Sequence, residues 1–585
     1  LEERPLIVDV ELGTDDNRCD GNRTHLLSIA KAMLVWTRSI VVGLVAVVST
    51  SVAADDNLIG HWRLSGDAQD ATAHKRHALA TSVDFQAKGP PGATAGAASF
   101  DGVRSELIVP ADRAPQLGSR DFSILVRIHT DNSLDDLPGE IISQYDPQTR
   151  TGFRIGLDSR PGVTSSQSNW RNLHFGMDAG EPVGRWTDHG RLGDAVLIYS
   201  MAVYDGQLFA GTCEAGVKQA GRVFRFDGRS WTDCGAPDHC NAVSALAVHR
   251  GRLYAGVSKY RLAGSALAES DNPNLGGKVY RYAGDKRWEL CGELPGVEAI
   301  NGMVVYRGKL YASSMYAPAA FFRYDGGNRW TPCQTPAGKR VESLTVFNGF
   351  IYATGYDEGA VYRFDGESWK HLGVLPEANQ TYGFAAYRGE LHVSEWPHAR
   401  VYRYEGGQAW RPAGRLGDEK ESMPLVVYNG KMYGGTLPLG SVFRFDNGAD
   451  QKWTHVGRLD LTPDVRYRRV WSMAVFRGRL FAGTLPSGRV HSIEIGRNVT
   501  HDRALPPGWR HVAAVREENS LKLYVDGELV GRSSAFAARQ FNLNSRQPLR
   551  IGSGSTDHFL GRLADLRVYG RALTAAQIKR LAASP

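Results

Sequence analysis

Glu342, Glu395 and Asp357 are the carboxylates that acid–base chemistry would draw on if this chain were a catalyst. Two such groups flanking a glycosidic bond serve as proton donor and as base or nucleophile, and their separation, which a sequence does not give, selects between the outcomes. They occur beside ring-bearing residues: Tyr356 precedes Asp357, Trp396 follows Glu395, and His398 comes two positions later. An aromatic face stacks on the apolar face of a sugar ring, while acids and amides meet the hydroxyls. Tyr199, Asn301, Glu342, Tyr356, Tyr382, Trp396, His398 and Trp471 therefore form the candidate ligand-binding set, with Arg466, Arg468 and Arg469 near the last of them. The same positions also read as solvated loops that simply vary.

What brings these residues together is a repeat. From Trp186 to Val499 one phrase recurs: a Trp segment, an apolar strand ending in Tyr or Phe, a Gly turn, a second strand, a third strand, and the next Trp. "SLTVFNGFIYATGYDEGAVYRFDGESW" is one copy, and Trp186, Trp231, Trp288, Trp330, Trp369, Trp410 and Trp453 mark the period at spacings of 39 to 57 residues. That length suits one four-stranded propeller blade, which predicts a seven-bladed β-propeller over 183–497. Asn348-Gly349 and Asp365-Gly366 are hairpin signals. Aligning the copies by their Gly turns puts Tyr199, Ser244, Asn301, Glu342, Tyr382, Met423 and Trp471 at equivalent starts of the innermost strands. Strand interiors are uniform while this rim is diverse, which suggests a rim that does more than pack. The last copy lacks a Trp strand, so the Trp186 segment is expected to complete its sheet and close the ring.

The flanks carry a second set of phrases. "GWRHVAAV", "LKLYVDGELV" and "LRVYGRALTAAQI" follow the propeller, while "GHWRLSGDAQD", "ASFDGVRSELIVP" and "FSILVRIHT" precede it. In this order they resemble the laminin-G-like, concanavalin A-like jelly roll, and the repeats resemble kelch-type propellers only loosely. The resemblance implies an all-β chain in which a sandwich, 55–182 plus 498–585, is interrupted by the propeller. It also implies a lectin-like domain, whose relatives often bind calcium and sugars at the loop rim, without assigning a ligand residue here. Asp101 and Asp526 both precede Gly and read as turn residues.

Composition narrows the field further. In 585 residues, 42% hydrophobic and 22% charged is a globular balance, and 66 glycines with 13 tryptophans fit an all-β chain with many tight turns. The formal charge of +7 is dispersed, which argues against a nucleic-acid partner. Residues 1–54 read as a leader: Met33 opens a short basic segment, Ile40 to Val48 is apolar, and Ser51-Val52-Ala53-Ala54 is a small-residue cleavage site. The expected localisation is secreted or periplasmic, with no membrane span after cleavage. Of the cysteines beyond the leader, Cys213 and Cys240 are expected to form a disulfide, with Cys234 to Cys240 as the competitor. Cys234, Cys291 and Cys333 occupy an apolar repeat position and read as core thiols. The loop from Ser258 to Lys278 holds Glu269, Asp271, Asn272 and Asn274, a calcium-compatible set whose spacing matches no EF-hand. No other cofactor is called for. The expectation is an exported, non-catalytic protein that binds a glycan or a surface protein; the alternative is a glycoside hydrolase or lyase with a catalytic propeller.

Overall fold

A computed structural model describes residues 57–160 and 166–584, so the leader assigned to residues 1–54 lies outside the described residues. The chain is all-β, with one α-helix, Ala575–Ala583, among the described residues. No described helix is long and apolar enough to cross a membrane.

Residues 187–493 form four-stranded antiparallel sheets in a propeller-like arrangement. Five of them are separate, and an eight-stranded sheet runs from Leu197–Tyr204 to Trp288–Glu293, its two groups of four joined through the single pair Cys213↔Ala242. The repeat phrase explains each sheet. Phe347 pairs with Phe350 across Asn348-Gly349, both at positive φ (48° and 81°), the conformation a two-residue hairpin needs. Thr187–Arg191 pairs with Arg489–Ile493 through Thr187↔Ser492, so the earliest strand of this region lies on the sheet of its last three.

The repeated tryptophans do more than fill a core. Five outer-strand indoles reach the backbone at the preceding outer strand: Trp288 Nε1 donates to Cys234 O (2.9 Å), Trp330 to Cys291 O (2.8 Å), Trp369 to Gln334 O (2.6 Å), Trp410 to Leu372 O (2.8 Å) and Trp453 to Ala413 O (2.9 Å), whereas the buried Nε1 of Trp231 has no such partner among the described residues. Trp186 Nε1 continues the series to Val456 O (3.3 Å). The ring sits over a glycine: a Cβ on Gly414 would stand 2.9 Å from the Trp453 ring, and one on Gly457 2.7 Å from that of Trp186. Both glycines hold positive φ, so the close approach and the backbone turn select the same residue.

The remaining strands form two sheets. One contains Phe122–Thr130 between Leu560–Tyr569 and Gly508–Glu517; the other contains Gly139–Asp146, Thr151–Asp158, Asn172–Ala179 and Arg497–His501. Strands from before and after the propeller region thus pair directly, Phe175 with Val499 and Val126 with Val512. Trp62, Phe100, Phe122, Phe153, Phe175, Leu521, Leu523 and Leu563 share one core. The strand Gly508–Glu517 is apolar on both faces because Val512 and Ala514 enter that core while Ala513 and Val515 pack against Ile578 of the terminal helix.

Loops of the sandwich bind one end of the propeller-like region. The innermost strands end in bonds to them: Val203 N donates to Ser168 O (2.9 Å), Arg307 N to Leu134 O (2.9 Å), Asn348 N to Asp136 Oδ1 (2.8 Å), Gly389 N to Thr556 O (2.9 Å) and Val475 N to Asn169 Oδ1 (3.0 Å). Gln167 N donates to Leu246 O (2.9 Å), and Arg160 donates to Val427 O.

Asp136 and Asp557 are buried at this seam. Burial, then the nearby Asp557, pushes the Asp136 carboxyl well above its ordinary value, and burial raises Asp557 as well. A carboxyl whose pKa is raised on folding holds its proton more tightly in the native state, so its contribution declines as pH climbs above about 4. Asp557→Asn is expected to shrink the loss of stability between pH 4.5 and 7, measured as urea midpoints; a decline as steep as in the wild type would refute this account.

Candidate functional site

The open end of the channel is a cavity of about 570 Å³. Strand alternation builds its wall, because residues two apart on an innermost strand share a face. The pairs Arg340 and Glu342, Gln380 and Tyr382, Glu421 and Met423, and Arg469 and Trp471 all line it. Second-strand ends add Tyr356 and Trp396, and the loop after Arg252–Ser258 adds Tyr260, Arg261 and Glu269. Tyr199 lies just beneath, fully buried, its ring centroid 4.9 Å from Trp471 and 5.1 Å from Tyr260.

Charge in the cavity is organised around Arg469. Its Nε lies 3.4 Å from Glu421 Oε1, its Nη2 donates to Glu421 Oε2 (3.4 Å) and its Nη1 donates to Ser265 Oγ (3.0 Å). Burial by itself would lower the guanidinium's pKa, but Glu421, with Tyr260, Tyr382 and Glu342, holds it above its ordinary value. Burial raises Glu421 even with that partner. Glu342 is different: it is 6% exposed, Oε2 is buried without a hydrogen-bond partner, and burial followed by the neighbouring Glu421 pushes its carboxyl up to about 8. The site therefore sets an acid without a partner beside one paired with Arg469. Arg340 stacks on Tyr356 (4.3 Å to the ring centroid) and pairs with Asp357 (Nε to Oδ1, 2.8 Å); Arg261 stacks on Tyr316 (4.2 Å) and pairs with Glu298.

Residues 482–579 match the concanavalin A-like lectin/glucanases superfamily. The match covers the last propeller strands and the C-terminal part of the sandwich. A comparison with curated proteins gave no match. Among solved structures, similarity is found to a catalytically inactive virginiamycin B lyase from Staphylococcus aureus with quinupristin (11% identity, 53% of this chain and 99% of that one, TM-score 0.41). It is also found to YCF48 bound to D1 peptide (12%, 54% and 98%, TM-score 0.38) and to the computationally designed Ika8 protein (11%, 62% and 98%, TM-score 0.35). At these identities and TM-scores none of the three carries functional information for this chain.

Of the candidate residues, Glu342, Tyr356, Tyr382, Trp396 and Trp471 converge on the cavity, and Tyr199 underlies it. Four do not join them. Glu395 is fully buried and accepts from the backbone N–H groups of His398 (3.2 Å) and Arg400 (2.8 Å), so it holds a turn together. His398 sits in that turn, its Nδ1 3.8 Å from Glu395 Oε2, and is not part of the cavity lining. Asp357 is occupied by Arg340 at the rim, and Asn301 is buried away from the lining, its side-chain atoms without hydrogen-bond partners. The pair Glu342 and Glu395 is thus replaced by Glu342 and Glu421.

The cysteines also correct an expectation. Cys213 and Cys240 are free thiols, not a disulfide, and Cys234 is free as well. Cys213 packs with Tyr199 and Trp471 beneath the mouth, whereas Cys240 packs with Cys234 and Val243 between sheets, so the two side chains enter different clusters. Burial raises both thiols, Cys240 to about 12. Cys234 and Cys291 are buried and Cys333 is half-buried.

Sequence reasoning missed Glu421, Arg340 and Gln380, although each stands two residues before an aligned rim position and alternation places it on the same face. Tyr260 and Tyr316 had no such signal, since they enter from loops. The acidic loop is structural: Glu269 accepts from the N–H groups of Leu262 and Ala263 (3.1 Å each), and Asn272 Nδ2 donates to Gln219 O and His239 O (2.8 and 2.9 Å). Among the described residues no group of three or more His, Cys, Asp or Glu side chains is placed to hold a metal ion.

Proposed function

We propose that this chain is an exported, non-catalytic glycan-binding protein, a seven-bladed kelch-like propeller carried as an insertion in a concanavalin-like sandwich. Dividing the eight-stranded sheet at its single joining pair and counting the halves with the five separate sheets supports seven blades. The Thr187↔Ser492 and Phe175↔Val499 pairings support ring closure and insertion, with domains over 55–182 plus 498–585 and over 183–497. The apolar run and small-residue end at 40–54 support export to a secreted or periplasmic location.

The observation that carries the binding reading is an aromatic-walled cavity at the mouth of the propeller-like region. Ring faces at Tyr382, Trp396 and Tyr356 offer stacking surface, while Glu342, Gln380 and Arg340 offer polar contacts around it. Hydrolysis would need a free base opposite the Glu342 acid; Glu421 has Arg469 against both its oxygens, which weighs towards binding.

A glycan array read alongside hydrolysis assays tests this. Wild type is expected to retain at least one oligosaccharide without releasing product, and Trp396→Ala to weaken that binding about tenfold or more. Absence of any retained glycan, an unchanged affinity in Trp396→Ala, or product release would each overturn the reading.

A further inference from the structure

Each arginine of the cavity already has a carboxylate: Arg469 has Glu421, Arg340 has Asp357, and Arg261 has Glu298. Glu269 is satisfied by backbone N–H groups. Glu342 is the exception; among the described residues it has no ion pair, and its Oε2 is buried without a hydrogen-bond partner. The rings divide in the same way. Tyr356, Tyr316 and Trp471 each carry an arginine within 4.2 to 5.1 Å, while Tyr260, Tyr382 and Trp396 carry none among the described residues. One acid and three rings are thus left without the cation that their neighbours have, and since Tyr260 packs edge-on against Tyr199 and Trp471, Tyr382 and Trp396 are the two that remain to receive one.

A buried carboxyl lacking a partner is costly, and a cation beside it, against the negative face of an aromatic ring, gains from both. We propose that the cavity recognises a ligand bearing one cationic amine, seated between Glu342, Tyr382 and Trp396; resting on the glycan reading above, this makes the ligand an amino sugar with its nitrogen unacetylated. The amine would pair with Glu342 as a carboxylate while the sugar ring stacks on the indole. Because burial holds the Glu342 proton to about pH 8 in the free protein, binding an already charged amine at pH 6 must expel that proton to solvent.

The test compares glucosamine oligomers with N-acetylglucosamine oligomers of equal length by calorimetry at pH 6, in two buffers of different ionisation enthalpy, on wild type and Glu342→Gln. The expected result is a preference of about tenfold or more for the free amine, with about one proton released per ligand bound. Both preference and proton release should disappear in Glu342→Gln, which keeps the side chain's shape. Trp396→Ala should weaken both ligands. Equal affinity for the two oligomers, or preference for the acetylated one, would overturn the amine inference and leave the glycan reading standing. Binding of neither, with no glycan held on the array, would overturn both.

Discussion

Arg154→Ala is expected to lower stability by about 3–5 kcal/mol, because it strands Glu140 in the protein interior and takes one of its two arginines from Asp158. Arg154 is 1% exposed. Its Nε donates to Glu140 Oε1 (2.7 Å) and its Nη2 to Glu140 Oε2 (3.2 Å) and Asp158 Oδ1 (3.3 Å), and Nη1 lies 2.9 Å from His174 Nδ1. Burial by itself would raise the Asp158 carboxyl, but Arg160 and Arg154 hold it well below the ordinary range. Burial lowers the pKa of His174, whose Nδ1 lies 2.9 Å from both Arg154 Nη1 and Asp158 Oδ2 and whose Nε2 lies 3.0 Å from Asn498 Oδ1. Asn498 Nδ2 in turn donates to Tyr428 Oη (3.1 Å), and Glu140 Oε2 accepts from Thr556 Oγ1 (2.8 Å). The network therefore ties strands from both ends of the chain to an innermost propeller strand. Urea unfolding followed by tryptophan fluorescence reads the effect, with the sandwich transition analysed separately where two appear. A loss below about 1 kcal/mol would show that water or a rearranged partner replaces the guanidinium. Arg154→Met combined with Glu140→Gln should recover much of the loss, since it removes that pair of charges together and leaves Asp158 its partner Arg160.

Arg469→Ala should produce the second large effect, of about 3–5 kcal/mol by the same reasoning, and with it the loss of ligand binding. Glu421 would lose its only ion pair among the described residues, beside Glu342, in a wall where Tyr382 and Trp471 pack on the same cluster. The double variant Arg469→Met, Glu421→Gln is expected to restore most of the stability. The informative number is the coupling between the two sites, which a thermodynamic cycle measures. A coupling near zero would mean that the 3.4 Å contacts are incidental to the cavity's shape. Binding to the glycan identified on the array is the second readout, and stability without binding in the double variant would separate the wall's electrostatics from its architecture.

The blade phrase is legible because a repeat tests itself: Asn348-Gly349 could be one loop among many, but the same turn before each second strand can only be a shared hairpin. Tyr382 and Trp471 were legible as rim residues for the same reason, since alignment of the copies exposes what differs there, and both line the cavity with Trp396 from a second-strand end. Glu395 misled because acid type and rim position do not specify direction. Its carboxylate turns inward to backbone N–H groups of its own loop, a use that leaves no mark on residue type. Cys213 and Cys240 misled likewise, for proximity along the chain says nothing about which cluster each side chain enters.

Residue order alone determined the strands, the hairpins, the tryptophan period and the division into flanks and repeats, because each depends on neighbours within about forty residues. Tertiary structure decided which rim acid keeps no partner, which arginine neutralises which carboxylate, and which sandwich loops bond to the ends of the innermost strands. Those outcomes depend on groups hundreds of positions apart, such as Asp136 and Asn348 or Ser265 and Arg469, meeting at hydrogen-bond distance. Charge pairing and burial act through space, so the chemistry of the mouth became readable only once the sheets had been set side by side.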